Sequence, residues 1–269
     1  MNTILNNKME RKIILPDEIF GRKTAGAMEK VLKGNSQTQV SEQTAPQVNA
    51  PDLKDYIWVP SIKLYVAKER DLNGLSWNQA TDKIYNQGIN VAGQRAEMPT
   101  PFEFMSYLKY LLSGNIKGLA ESERQNILND ILKIGKYIGN WLNAKFVEQN
   151  KGFNNFGIET LTLDSSGKPA KKVEPLEPCL LQDGWADINS GNSQGLLTKS
   201  YGSSYEQGKN AYFWYPRNTA VARFGANSGR ASLDCYGGAD GSDPALGVRL
   251  VVRPKGASSK KMVGDKTWN

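Results

Sequence analysis

The C-terminal stretch of residues 222–254 restricts the fold more than any other part of the chain. Its first half, ARFGANSGRASLDCYGGADGSD, is poor in bulky residues, whereas its second half, PALGVRLVVRP, contains an apolar run. Apolar residues alternate with other residue types in the first half, and they are Ala222, Phe224, Ala226, Ala231, Leu233 and Cys235. Alternation with a period of two predicts strands that pack one face on a core and turn the other outward. We therefore expect a fixed scaffold that presents replaceable residues.

Residues 212–249 are named here the display segment. The outward positions of this segment form the predicted ligand-binding site. Tyr and Arg on such a face are expected to supply most of the binding energy, because they offer rigid area and planar donors. The predicted ligand-binding residues are Tyr212, Tyr215, Arg217, Thr219, Arg223, Gly225, Asn227, Ser228, Arg230, Ser232, Asp234, Tyr236, Gly237 and Asp240.

Residue types that are rare or missing argue against most enzyme chemistry. The chain has no histidine, which removes the usual general base of Ser-His and Cys-His hydrolases and the commonest transition-metal ligand. Cys179 and Cys235 fit no zinc pattern, and both a bridge between them and two free buried thiols stay open. Asp183, Asp187 and Asn189 fit no known calcium loop, and a turn with Asx caps is the favoured interpretation. We expect a non-enzymatic protein with no cofactor and no catalytic or metal-ligating residue.

The net charge of +7 at pH 7 comes mostly from the two ends of the chain. Residues 1–50 hold seven Lys or Arg against five Asp or Glu, and residues 255–269 hold four against one. The part between them is nearly neutral, whereas a duplex-binding surface needs a dense basic stripe. Nucleic acid is therefore not an expected partner.

Composition along the chain predicts three parts. Residues 1–50 form an attachment or linker segment, residues 51–254 the folded domain, and residues 255–269 a basic tail. No apolar stretch approaches the roughly 18 residues of a membrane span, and the first residues lack a secretory signal pattern. No membrane partner is expected.

Local patterns predict several elements of the domain. DYIWVPSIKLYVAK predicts one or two strands, LSWNQATDKIYNQG a helix capped by Ser76, and MPTPFEFMSYLKYLL a helix capped by Thr100 with Glu103 closing a capping box. Residues 121–149 have apolar residues at helical spacing and predict another helix, and residues 152–175 predict a hairpin. Beyond Pro178 no further helix is expected.

Two short motifs resemble the formylglycine-generating-enzyme branch of the C-type lectin-like fold. The R-x-x-M-P-T-P-x-E-F box from Arg95 to Phe104 is similar to the box that opens the second helix of that branch, and Gly247–Val248–Arg249 is similar to its terminal G-F-R. The resemblance implies an α+β, C-type lectin-like fold with two core helices, short irregular β-strands and a helical insertion near 113–150. The copper-binding cysteine pair and the R-G-G-S-W signature of the branch's oxidative enzyme are missing.

The other occupants of this branch are the variable proteins of diversity-generating retroelements, in which adenine-directed mutagenesis rewrites a C-terminal segment. Mutation of adenines in AAC or AAT codons never yields Lys, Glu, Gln, Met or Trp. These five types make up 62 of the 269 residues, so a forty-residue window should hold roughly nine, but residues 215–254 contain none.

The resemblance implies a hypervariable receptor-binding protein, whose ligand is a host or cell-surface protein or glycan. Residues 1–50 would attach it to a phage tail, so that it is located in the virion or else in the cytoplasm. A formylglycine-generating-type oxidative enzyme and a non-diversified lectin-like tail or adhesin module are the alternatives. A homo-oligomer stays open.

Overall fold

The computed structural model describes residues 53–114, 116–135 and 137–254. The predicted attachment segment 1–50 and basic tail 255–269 lie outside the described residues. Within them the chain has a mixed α+β architecture, with few helices and many strands in two open sheets. The α+β prediction is therefore confirmed.

The smaller sheet combines the start of the domain with its end. Its order is β1-β2-β13-β4-β3, and its strands are β1 (Tyr56–Val59), β2 (Leu64–Ala67), β3 (Asn90–Val91), β4 (Gln94–Glu97) and β13 (Val251–Val252). β13 lies antiparallel between β2 and β4. The two predicted N-terminal strands are thus confirmed, and the last described strand is central rather than at an edge.

Two of the predicted helices form as their capping residues indicate. Ser76 caps α1 (Trp77–Thr81), which continues as a π-helix over Asp82–Gly88. Thr100 caps α2 (Pro101–Leu112), and its side chain and that of Glu103 form the predicted capping box. Each box satisfies two backbone N–H groups that the first helical turn leaves without partners.

The helix predicted over residues 121–149 is wrong in its second half. The helix α3 (Glu121–Leu132) ends near Gly135, whose φ of +146° suits only glycine, and β5 (Ile138–Glu148) follows. β5 pairs with β10 on one side and with β6 on the other, so sheet pairing prevails over the helical spacing of its apolar residues.

The larger sheet has the order β7-β6-β5-β10-β11-β9-β8, and β12 also pairs with β5. Its strands besides β5 are β6 (Phe156–Leu163), β7 (Pro169–Pro175), β8 (Gly184–Asp187), β9 (Asn210–Trp214), β10 (Val221–Ala226), β11 (Ala231–Gly237) and β12 (Leu246–Gly247). β6 and β7 are the predicted hairpin. β9 runs parallel to β11, which places the beginning and the middle of the display segment side by side.

The apolar run near the end of the domain joins the two sheets. Leu246, Val248 and Leu250 are at most 3% exposed, as their pattern predicts. β12 pairs with β5 of the larger sheet, whereas β13 enters the smaller sheet. The apolar run is therefore divided into two short strands that belong to different sheets.

Two arginines near the end of the domain, Arg249 and Arg253, connect this run to the helices. Arg249 is fully buried and donates to the Asp130 carboxylate of α3 and to the carbonyl of Lys68. Arg253 donates to the Glu97 and Glu103 carboxylates, at 2.8 and 2.6 Å. These ion pairs give Arg249 of the second motif, and Glu97 and Glu103 of the first, a structural role.

Candidate functional site

The inner face of the display segment is packed as the alternation predicts. Phe224, Leu233 and Cys235 are fully buried, and the Phe224 ring lies 5.2 Å from that of Phe104 on α2. This contact fixes the orientation of β10 and β11, because core side chains interlock with those of α2. The opposite face of the two strands is consequently turned away from the helices.

A continuous row of aromatic rings crosses the outer face from β8 to β11. Successive ring centroids are 6.3, 5.3, 4.8 and 5.0 Å apart. This aromatic row consists, in spatial order, of Tyr205, Trp185, Tyr212, Trp214 and Tyr236. Each contact of this kind contributes about 0.5–1.5 kcal/mol beyond area burial, so the row is held in place before any ligand arrives.

The strand pairing explains why these rings meet. Trp185 on β8 is opposite Tyr212 on β9, and Trp214 on β9 is the register partner of Asp234 on β11. Tyr205 is fixed separately, since its hydroxyl donates to the Leu132 carbonyl at 2.8 Å. The outermost ring, Tyr236, is 44% exposed.

Two arginines lie against the aromatic row. The guanidinium carbon of Arg230 is 4.4 Å from the ring centroid of Tyr212 and 5.2 Å from that of Trp214. The guanidinium of Arg223 is about 6 Å from the rings of Tyr137, Trp141 and Tyr236. Cation–π contacts at such distances stabilise by about 0.5–2 kcal/mol.

Arg223 is paired with a carboxylate, in contrast to Arg230. Its Nε donates to Asp234 Oδ2 at 2.7 Å, and the Tyr236 N–H donates to Asp234 Oδ1 at 3.0 Å. Burial raises the pKa of the Asp234 carboxyl, although Arg223 acts in the opposite direction. The pair cancels its own charge on the outer face.

Three residues expected to be exposed are buried instead. Ser232 is 9% and Asp234 5% exposed, because side chains on neighbouring strands cover them although they face outward. Tyr215 is 9% exposed and on the inner side, where its ring packs against Phe156 and its hydroxyl accepts from Asn154 Nδ2 at 2.8 Å. The prediction of one exposed face over all these positions is wrong.

The two predicted glycines are also buried. A Cβ on Gly225 would stand 2.8 Å from the Ile138 carbonyl oxygen and 3.2 Å from the Gly139 Cα, which leaves no room for a side chain. A Cβ on Gly237 would lie 3.3 Å from the Val221 carbonyl oxygen. Gly225 is therefore a fixed scaffold position and not a replaceable one.

The turn between β10 and β11 combines a structural and an open position. The Asn227 side-chain oxygen accepts from the Gly229 and Arg230 N–H groups, at 3.0 and 3.1 Å. Ser228 is exposed at the tip of this turn. Asn227 thus shapes the backbone from which Arg230 projects.

The remaining predicted residues are exposed but make contacts outside the aromatic row. Arg217 pairs with Asp183 at 3.0 Å, and Asp240 accepts from Asn78 at 2.6 Å. Thr219 has a φ of +64°, in the left-handed region that β-branched residues rarely adopt. The structure therefore brings Tyr212, Arg223, Arg230 and Tyr236 together.

Sequence reasoning underrated the fixed rings of the row. Trp185, Trp214, Tyr205 and Tyr137 are not among the predicted ligand-binding residues. The alternation Tyr212–Phe213–Trp214 predicts that Tyr212 and Trp214 share one face of β9. The position of Trp185 and Tyr205 beside them depends on contacts between distant parts of the chain. A cleft of about 560 Å³ lies beside Trp185 and Leu181.

The cysteines and aspartates that were considered as reactive or metal-binding groups are buried or already hydrogen-bonded. Cys179 and Cys235 are buried free thiols, and burial raises the pKa of both, that of Cys179 to about 12. Asp187 accepts from the Asn189 N–H at 2.8 Å in the expected Asx turn, whereas Asp183 pairs with Arg217. Among the helices of the described residues, none has the length and apolar character to cross a bilayer.

Comparison with protein-family models, with curated proteins and with solved structures found no match to this chain.

Proposed function

We propose that this protein is a non-enzymatic, hypervariable ligand-binding protein on a C-type lectin-like scaffold, diversified by a retroelement and carried at a phage tail tip. The observation that supports it best is the aromatic row with two guanidinium groups against it, on the side of the sheet opposite the helices. Tyr, Trp and Arg are the residue types that dominate binding hot spots.

The scaffold part of the proposal draws on the roles of the motif residues. Arg249 and Glu103, which carry the family resemblance, form ion pairs between the end of the domain and its two longer helices. Because these ion pairs stabilise the scaffold elsewhere, several positions on the outer face of β9 to β11 are not needed for its stability. This separation of fixed and open positions is what a diversified protein requires.

The diversification part of the proposal draws on composition and exposure together. Tyr212, Ser228, Arg230 and Tyr236 fall in or next to the window that lacks Lys, Glu, Gln, Met and Trp, and none of them belongs to the core. Substitution at exposed positions usually changes stability by less than about 0.5 kcal/mol. Ser228 is exposed and Tyr236 is 44% exposed, so both can change at little cost. Tyr212 and Arg230 are half-buried, and their replacement removes ring contacts without opening the core.

A pair of libraries tests the proposal. The first randomises Tyr212, Ser228, Arg230 and Tyr236, and the second, as a control, randomises the same number of exposed positions on β7, including Lys172 and Val173. We expect the first library to keep its melting temperature within a few degrees and to yield binders when selected against a panel of unrelated proteins, whereas the second yields none. Equal yields from both libraries would contradict the proposal.

The thiol offers an independent check on the enzyme alternative. We expect Cys235→Ser to leave ligand capture unchanged apart from a modest loss of stability, because a fully buried thiol behaves as a small apolar group. Stoichiometric copper binding that this substitution abolishes would instead favour the oxidative enzyme.

A further inference from the structure

Arg230 differs from the other arginines of the described residues in its partners. Its side chain makes neither a hydrogen bond nor an ion pair there, and its Nε is buried against the rings without an acceptor. Each of the others donates from its guanidinium to a carboxylate or a carbonyl, and they are Arg70, Arg95, Arg124, Arg217, Arg223, Arg249 and Arg253.

The position of this guanidinium is set before binding. The Asn227 carboxamide fixes the backbone at Arg230, and the Tyr212 and Trp214 rings hold the guanidinium from one side. A planar fork of donors that is already oriented loses little conformational entropy when it pairs with an anion. Arg230 is therefore built as a receptor for an acceptor group that the chain itself does not supply.

We propose that Arg230 binds a carboxylate of the ligand, namely an acidic side chain on a protein partner that packs an adjacent apolar residue against Trp214 and Tyr236. This inference rests on the proposed ligand-binding role of the outer face and adds the chemical class that the face selects. A carboxylate matches the guanidinium fork in a bidentate pair.

The local charge favours a singly charged anion. Arg223 and Asp234 neutralise each other at 2.7 Å, and Arg217 is paired with Asp183 at 3.0 Å, so Arg230 leaves one positive charge beside the row. A phosphate group carries a larger negative charge, which the single Arg230 guanidinium would neutralise only in part. One guanidinium and one carboxylate balance.

The arrangement of the rings favours a protein over an acidic sugar. Trp185 and Tyr212 meet at 84°, and Tyr212, Trp214 and Tyr236 are tilted by 56° and 58° in turn. Tilted rings present edges and notches that fit amino-acid side chains, whereas a sugar ring packs best on a flat ring face.

Titration with small anions tests the proposal without knowledge of the natural partner. Benzoate combines a carboxylate with a ring, and benzamide is its uncharged counterpart. We expect benzoate to shift the Arg230 Nε–Hε signal of the full-length protein in NMR spectra in a saturable manner, and benzamide to bind at least about threefold more weakly.

Two variants distinguish the bidentate geometry of the Arg230 guanidinium from its positive charge. Arg230→Lys keeps the positive charge but loses the bidentate geometry, so we expect benzoate affinity, followed by tryptophan fluorescence, to fall about threefold or more. Lys172→Gln, on the far edge strand β7, removes one exposed positive charge and should leave the affinity unchanged. Thermal melts of each variant show whether a loss reflects unfolding.

Three further probes distinguish sources of the anion. N-acetyl-Phe-Glu-amide should bind more tightly than glucuronate and than inorganic phosphate. Tighter binding of either competitor, equal binding of benzoate and benzamide, or full benzoate affinity in Arg230→Lys would overturn the inference. Benzoate binding with no binders from the library would refute the proposed function alone, and binders without benzoate binding would refute this inference alone.

Discussion

The outer faces of β10 and β11 are neighbours in one sheet, yet they differ in how freely their residues can change. At the two ends of the β11 outer face, Arg230 in the turn and Tyr236 reach solvent, whereas Ser232 and Asp234 between them are covered. On β10, Arg223 is committed to Asp234, and Gly225 has the backbone of β5 where a side chain would stand. Tolerance to substitution is thus decided by what the adjacent strand brings near, and not by which face a residue occupies.

The largest effect is expected from the inner face that both strands share. Leu233→Ala should lower the free energy of unfolding by about 2–5 kcal/mol, because Leu233 is fully buried and its truncation leaves a cavity. Urea denaturation measures the change. A loss below about 1 kcal/mol would mean that β11 is not anchored in the core.

The next effect should separate the fixed strand from the adjoining turn. Gly225→Ala is expected to cost about 1–3 kcal/mol, because the new Cβ meets the Ile138 carbonyl oxygen. Gly229→Ala is the matched control, since nothing lies within 4 Å of its Cβ position. Equal melting temperatures of the two variants would show that β10 is as replaceable as the turn.

A smaller effect, of opposite sign, is expected at an exposed position whose backbone is constrained. Thr219→Gly should stabilise the protein by about 1 kcal/mol, because glycine adopts the φ of +64° at no steric cost. Thermal denaturation measures it, with Ser228→Gly as the control, at an exposed turn position whose φ is not positive. A lower melting temperature for Thr219→Gly would show that its side chain matters more than its backbone.

The smallest effect on stability belongs to the open side. Tyr236→Ala should lower the free energy of unfolding by about 0.5–1 kcal/mol, since the ring is 44% exposed and loses only its contacts with Trp214 and Arg223. The same variant should weaken capture of a selected binder more than tenfold, as hot-spot tyrosines do. Surface plasmon resonance and denaturation together check this pair of outcomes, and a large loss of stability with unchanged capture would reverse the comparison.

Patterns within one strand predicted well which residues are buried in the core. They could not predict which side chains on other strands would cover a residue. The alternation locates Phe224, Leu233 and Cys235 inside, and the capping residues Ser76 and Thr100 locate two helix starts. The shielding of Ser232 and Asp234 depends on side chains from other strands, so no period along their own strand reveals it. The helical spacing after residue 132 failed for the same reason, because partners on β6 and β10 decide that conformation.

The cluster of side chains on the outer face was predicted in part. The sequence identifies Tyr212, Arg223, Arg230 and Tyr236 as ligand-binding candidates. Tyr215 lies on the opposite side from the one predicted, because the alternation of β9 continues past Trp214 and turns the Tyr215 side chain inward. The rings of Trp185 and Tyr205 reach the face only through sheet order and a hydroxyl contact with α3. Such contacts span long stretches of chain and leave no local signature.

The central position of β13 has a consequence for synthesis. A ribosome must complete the display segment before β13 emerges, and until then β2 and β4 lack the strand that lies between them. Contacts so distant along the chain form late in folding. A product truncated within the display segment would expose two unpaired strand edges, which invite aggregation and degradation. Copies of the protein that lack β13 are therefore expected to be less stable than copies that contain it.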